Sequence, residues 1–139
     1  MANVIHINTG LAYWRAEVDF EDDTIKAALM IRAHTPSAST QFWSQISADE
    51  VSGTGYDAGG QTIANPTVTL SGTATVFDGD DSVWSNSTIA AGWVAIYKDT
   101  GTPATSRLIT TKDFGAEKNS SNAPFTVEYS TNGILRMNQ

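Results

Sequence analysis

Residues 88–99 read TIAAGWVAIYKD, from Thr88 to Asp99, and the fold turns on this run. Trp93, Ala95 and Tyr97 share one face of an extended chain, while Val94 and Ile96 share the other. Side chains alternate across a strand, so apolar residues on both faces mark a central strand or one covered by a partner.

The neighbouring segments extend the same reading. Residues 24–32 (TIKAALMIR) set Ile25, Ala27, Leu29 and Ile31 against Lys26, Ala28, Met30 and Arg32, a half-buried strand that His34-Thr35-Pro36 ends. Residues 61–72 read as an edge strand bent at Asn65-Pro66. Residues 73–84 read as a strand, a tight turn at Asp78-Gly79 and a second short strand ending at Trp84. Residues 107–114 and 124–130 are two further strands separated by the polar GAEKNSSNA, and Asn132-Gly133, flanked by Tyr129 and Ile134, signals a closing hairpin. About seven to eight strands at short intervals predict an all-β fold, an antiparallel β-sandwich or barrel.

One short helix is expected over residues 40–46, where Phe42, Trp43 and Ile46 fall at helical spacing and Ser39 or Thr40 can cap it. The first 18 residues lack a core-like alternation beyond Val4, Ile5 and Ile7. They are expected to form an N-terminal arm or an edge strand, leaving 19–139 as one domain. Within them Trp14, beside Tyr13, is the aromatic least easily placed in a core. Val4, Ile5, Ile7, Tyr13 and Trp14 are therefore the candidate contact residues for another chain.

Composition narrows the function. The chain has 139 residues, a formal net charge of −7 and no cysteine, which excludes disulfides, thiolate metal sites and cysteine nucleophiles. Its 8 basic residues form no cluster, so the electrostatic footprint of a nucleic-acid binder is missing. The apolar runs are too short to span a bilayer, and MANVIHINTG has no secretory pattern, so synthesis in a cytoplasm is expected.

The stretch 50–60, EVSGTGYDAGG, invites a ligand-loop reading, but it lacks the dinucleotide spacing and the Gly-Lys-Ser/Thr end of a phosphate loop. Gly53, Gly55, Gly59 and Gly60 read instead as a tight turn, with φ > 0 expected at Gly55, Gly59 or Gly60 and Tyr56 laid against the sheet. Residues 78–82 (DGDDS) lack the bidentate Glu of a calcium loop and read as a solvated turn. His6 and His34 stand apart in sequence with no adjoining carboxylate, and Asp19, Glu21, Asp49 and Glu50 are acids of an acidic surface rather than a paired catalytic set. Trp43, Trp84 and Trp93 lie among apolar neighbours and read as core. No catalytic residue, cofactor or metal is expected.

Several pieces in order, DDTIKAALM, HTPSASTQFWSQISADEVSGTGYDAGGQTIAN, VWSNSTIAAGWVAIYKDTGTPATSRLITTKDFG and FTVEYSTNGILRM, resemble a widespread family of small phage and prophage virion proteins. The resemblance spans residues 19–137, with His34 standing where that family commonly has Tyr before Thr-Pro. It implies a non-enzymatic structural protein of a bacteriophage virion. The preferred assignment is a capsid decoration (cement) protein, made in the bacterial cytoplasm and carried on the capsid surface. Its partners would be the major capsid protein and neighbouring copies of itself, as in a homotrimer. A tail, baseplate or adaptor component, or a β module binding glycan or a host receptor, is the alternative.

Overall fold

The computed structural model describes residues 3–6 and 9–138. In chain order these form β1 (Val4–Ile5), α1 (Thr9–Trp14), β2 (Ile25–Met30), β3 (Gln61–Thr62), β4 (Thr67–Ser71), β5 (Ala74–Asp78), β6 (Ser82–Lys98), β7 (Leu108–Val127) and β8 (Leu135–Asn138). Every pairing is antiparallel, in one sheet of order β1-β7-β6-β2-β3 and a second of order β4-β5-β8. Two separate sheets make a sandwich and not a closed barrel. Among the described residues no helix is long and apolar enough to cross a membrane.

β6 lies at the middle of the larger sheet, and its two apolar faces serve two cores. Val94 and Ile96 join Ile25, Ala27 and Leu29 of β2, Ile109 of β7 and Phe77 of β5 between the sheets. Trp93, Ala95 and Tyr97 join Ala28, Met30 and Leu108 on the opposite face, under Trp43 and Ile46. The cover over that second face therefore comes from the chain itself, through the long connection 31–60. Trp43 stacks on Tyr97 with ring centroids 4.6 Å apart and planes 3° from parallel.

The short helix expected over 40–46 is a pair of 3₁₀ turns, Trp43–Gln45 and Ser47–Asp49. Its start is fixed by Gln45 and not by Ser39 or Thr40: the Gln45 Oε1 accepts the N–H groups of Gln41 and Phe42, each at 2.9 Å. The Trp43 N–H donates to the Ser106 carbonyl at 2.8 Å, which pins this segment over the β6–β7 loop.

Three turn readings change. Residues 115–123, read as a loop, belong to the 20-residue β7, paired to β6 through several register shifts. Asp78-Gly79 is no hairpin, because β5 and β6 lie in different sheets. Asn132-Gly133 reverses the chain, with Gly133 at φ 96°, but the strand that follows pairs with β5 and not with β7. The bend at Asn65-Pro66 likewise divides β3 from β4, with Asn65 at φ 51°, and β4 is an edge strand as read.

The N-terminal segment is an ordered edge where it is described. Val4 pairs with Thr111 and Ile5 with Thr110. The helix α1 had no counterpart in the sequence reading. It ends in a Schellman arrangement: the Ala16 N–H donates to Tyr13 O at 3.0 Å and the Glu17 N–H to Ala12 O at 2.8 Å, with Ala16 itself at φ 56°.

Candidate functional site

The glycine turn is a structural device. Gly55, Gly59 and Gly60 have φ values of 81°, 93° and 77°, and Gly53 has 158°. They carry the chain around Tyr56, whose ring is buried and stacks on Trp84 with centroids 5.7 Å apart. The Tyr56 hydroxyl accepts the Leu29 N–H at 2.9 Å and donates to Glu50 Oε2 at 2.7 Å. The same oxygen accepts the Gly59 N–H at 2.8 Å. Burial raises the Glu50 carboxyl above the ordinary range, against the hydrogen bonds from Tyr56 and Gly59, which lower it. Glu50, Tyr56 and the glycines are thus brought together, and the polar atoms at the centre of the group, the Tyr56 hydroxyl and Glu50 Oε2, are taken up by internal partners.

The histidines are also joined to the fold. His6 is 2% exposed, with Nδ1 at 3.2 Å from Ser37 O and Nε2 at 3.1 Å from Thr111 Oγ1. A carbonyl only accepts, so Nδ1 carries the proton and Nε2 accepts from the threonine hydroxyl. Sequence reading gave His34 no carboxylate, yet its Nδ1 lies 2.7 Å from Asp49 Oδ2, fifteen positions along the chain. The His34 Nε2 is buried without a hydrogen-bond partner, and the ring meets Trp93 edge-on.

This arrangement carries a pH dependence. Burial lowers the His6 pKa, with the neighbouring His34 adding to the effect. A base whose folded pKa lies below its unfolded value leaves the unfolded chain holding more protons. Stability is therefore fully present above about pH 6.5 and lost as pH falls toward the folded value. Because the His6 N–H donates to Ile109 O at 3.2 Å, the loss should be read at β1. Amide exchange at His6, corrected for intrinsic rates, should be faster at about pH 5 than at about pH 7.5, and equal rates would contradict the linkage.

The remaining acids make local structural contacts. Among the described residues no group of three or more His, Asp or Glu is placed to hold a metal ion. Asp19 caps its own loop by accepting the N–H groups of Glu21 and Asp22 at 3.0 and 3.1 Å, while Glu21 lies on the surface. In residues 78–82, Asp80 accepts from Asn65 Nδ2 at 2.6 Å and Asp81 from the Tyr129 N–H at 2.9 Å, both structural contacts. Sequence reading missed Arg32, which donates to Asp113 Oδ1 at 2.7 Å and to Gly92 O at 3.1 Å while lying over the Trp93 ring. The arginine holds the Asp113 carboxyl down at about 2, helped by the Gly115 N–H.

Trp43, Trp84 and Trp93 are buried as read. Trp14 is 91% exposed. The helix α1 buries Ala12 and packs Tyr13 edge-on against Phe20 at 5.2 Å, which turns Leu11 and Trp14, three positions apart, outward. Tyr13 is thus part of the packing, and its hydroxyl is buried without a partner. Ile5 on β1 is 56% exposed, Val4 is half-buried, and Ile7 lies outside the described residues. Of the four candidate contact residues that are described, Ile5 and Trp14 are the ones open to a partner. Arg15 is the one charged side chain of residues 3–6 and 9–16, in a chain whose formal charge is otherwise −8 (−7 minus +1).

No family model matches the chain, and neither a curated protein nor a solved structure matches it.

Proposed function

We propose that the chain is a non-enzymatic structural protein of a bacteriophage virion, a decoration protein that docks on the assembled head through its N-terminal edge. The observation that carries the reading is Trp14, 91% exposed at the end of α1 beside exposed Leu11. A tryptophan held out by a helix whose other face is packed has no role in this chain's own core, and aromatic anchors of this kind dominate the energetics of protein interfaces. The order of motifs across residues 19–137 supports the virion class, and the internal partners of Glu50, Asp49 and His6 account for these conspicuous polar groups without a reaction. The partner is the major capsid protein, with neighbouring copies of this chain around it.

The test is binding of purified protein to particles assembled without it. Trp14→Ala should reduce occupancy about tenfold or more while leaving thermal unfolding unchanged, as expected for loss of an interface anchor. Cryo-electron microscopy should find copies spread over the shell. Unchanged occupancy of the variant would remove Trp14 as the anchor, and a handful of copies confined to the tail would overturn the decoration reading.

A further inference from the structure

The smaller sheet has an unfinished end. Across its strands Leu70 lies opposite Thr75 and Thr75 opposite Met137, while two positions along, Val68 lies opposite Phe77 and Phe77 opposite Leu135. Partners in register point to the same face, so these two rows share one side of the sheet. The row through Phe77 is covered at Phe77, which is buried, and at Leu135, which packs on the core, while Val68 at its β4 end is 38% exposed. The row through Thr75 overhangs: Leu70 is 77% exposed and Met137 48%.

Among the described residues β4 is also a free edge. It is the longest of the edge strands β1, β3, β4 and β8, and all five of its residues are exposed. Its pairing to β5 runs without a bulge from Thr67 to Ser71, and it contains neither Lys nor Pro, the usual devices that keep an edge from pairing.

The charge pattern says which chain fits there. Residues 58–77 contain no Asp, Glu, Lys or Arg, in a protein of formal charge −7. Two copies repel one another over most of their surface and meet no like charge along this stretch. The strand is self-complementary too. Paired antiparallel with its own copy and centred on Thr69, it sets Val68 opposite Leu70 of the second copy on one face. Thr67 then faces Ser71, and Thr69 faces Thr69, on the other. By contrast the opposite edge, β8, carries Arg136.

We propose that β4 pairs antiparallel with β4 of a second copy about a twofold axis, joining two three-stranded sheets into one of six strands. The pairing satisfies the outward N–H and C=O groups of both edges and covers Leu70. It uses a surface distinct from Trp14 and stands whether or not the chain decorates a capsid.

Light scattering and sedimentation should give twice the 14.8 kDa chain mass at concentrations near about 100 μM, with dissociation on dilution. Leu70→Lys, a change at an exposed position, should weaken association about tenfold by placing a charge on an apolar cross-strand pair, with the circular dichroism spectrum unchanged. Because the chain has no cysteine, Thr69→Cys supplies a unique thiol at the axis. A short bismaleimide should link it copy to copy, whereas the exposed control Ser121→Cys should stay unlinked. A monomer throughout, a Leu70→Lys variant that associates as well as the parent, or a Thr69→Cys that links no better than the control would each overturn the proposal. A trimer would do so as well, since it requires a head-to-tail contact such as β4 against a neighbour's β8.

Discussion

Gly60→Val should fail to fold. At φ 77° a Cβ on residue 60 would overlap the Ala27 carbonyl oxygen and lie 2.7 Å from Ala28 Cα, both backbone atoms of the buried strand β2. Neither neighbour can move, because Ala27 and Ala28 are paired on one side to Ile96 and Ala95. A left-handed conformation costs an ordinary residue about 1–2 kcal/mol, and a β-branched side chain more. Displacing β2 from the sheet adds several kcal/mol, so the sum is comparable with the roughly 5–15 kcal/mol that hold a domain folded. Gly59 provides the contrast. Its φ is 93°, but a Cβ there would approach nothing closer than the Tyr97 hydroxyl at 3.4 Å. Gly59→Ala should therefore fold and lose only about 1–2 kcal/mol in chemical denaturation. A folded Gly60→Val with a native midpoint would refute the close approach of this turn to β2.

The central strands could be read because their signal is local. In residues 88–99 and 24–30 the alternation that places a side chain in one core or the other is written into consecutive positions. The identity of the cover was not, since Trp43 reaches Tyr97 across 54 positions (97 − 43). Turn chemistry was legible at Asn132-Gly133, but a turn specifies that the chain changes direction and not which sheet receives the next strand, and at Asp78-Gly79 the chain passes from one sheet to the other without a turn. The polar run 115–123 was misread for a different reason. It is mostly exposed, so its strand conformation comes from ladder bonds to β6 and not from burial. The helix α1, six residues long, is too short for an apolar period to be visible.

The same division applies to the site. Glycine density marked the turn around Tyr56, and an isolated Trp14 with no apolar alternation around it marked the exposed edge. No spacing rule joins Arg32 to Asp113 or His34 to Asp49, because each pair is made by strands and loops that meet only after the sheet has formed. Had paired acid and base been sought by adjacency alone, both would have stayed hidden.

Tyr56→Phe should destabilise the protein by about 3 kcal/mol although it removes a single oxygen. β3 pairs with β2 only at Lys26 and Ala27, so the outer edge of β2 runs on without a strand beside it. Beyond that point the chain supplies substitutes. The Val51 N–H donates to Leu29 O at 3.0 Å, the Ile31 N–H to Asp49 O at 2.9 Å, and the Tyr56 hydroxyl accepts the Leu29 N–H. Leu29 is fully buried, so losing the hydroxyl leaves its N–H with no water to turn to and deprives Glu50 of a donor. Glu50→Gln should behave differently, because an amide oxygen accepts from Tyr56 and Gly59 as the carboxylate does. Burial raises the Glu50 pKa, so the folded state holds that proton more tightly than the unfolded chain. The stability so gained is complete below about pH 4.5 and is lost as pH rises through the folded pKa. Relative to the parent, Glu50→Gln should therefore fare better at about pH 7 than at about pH 4, while the Tyr56→Phe deficit persists at both. Equal denaturation midpoints for Tyr56→Phe and the parent would mean that the hydroxyl does not complete the β2 edge.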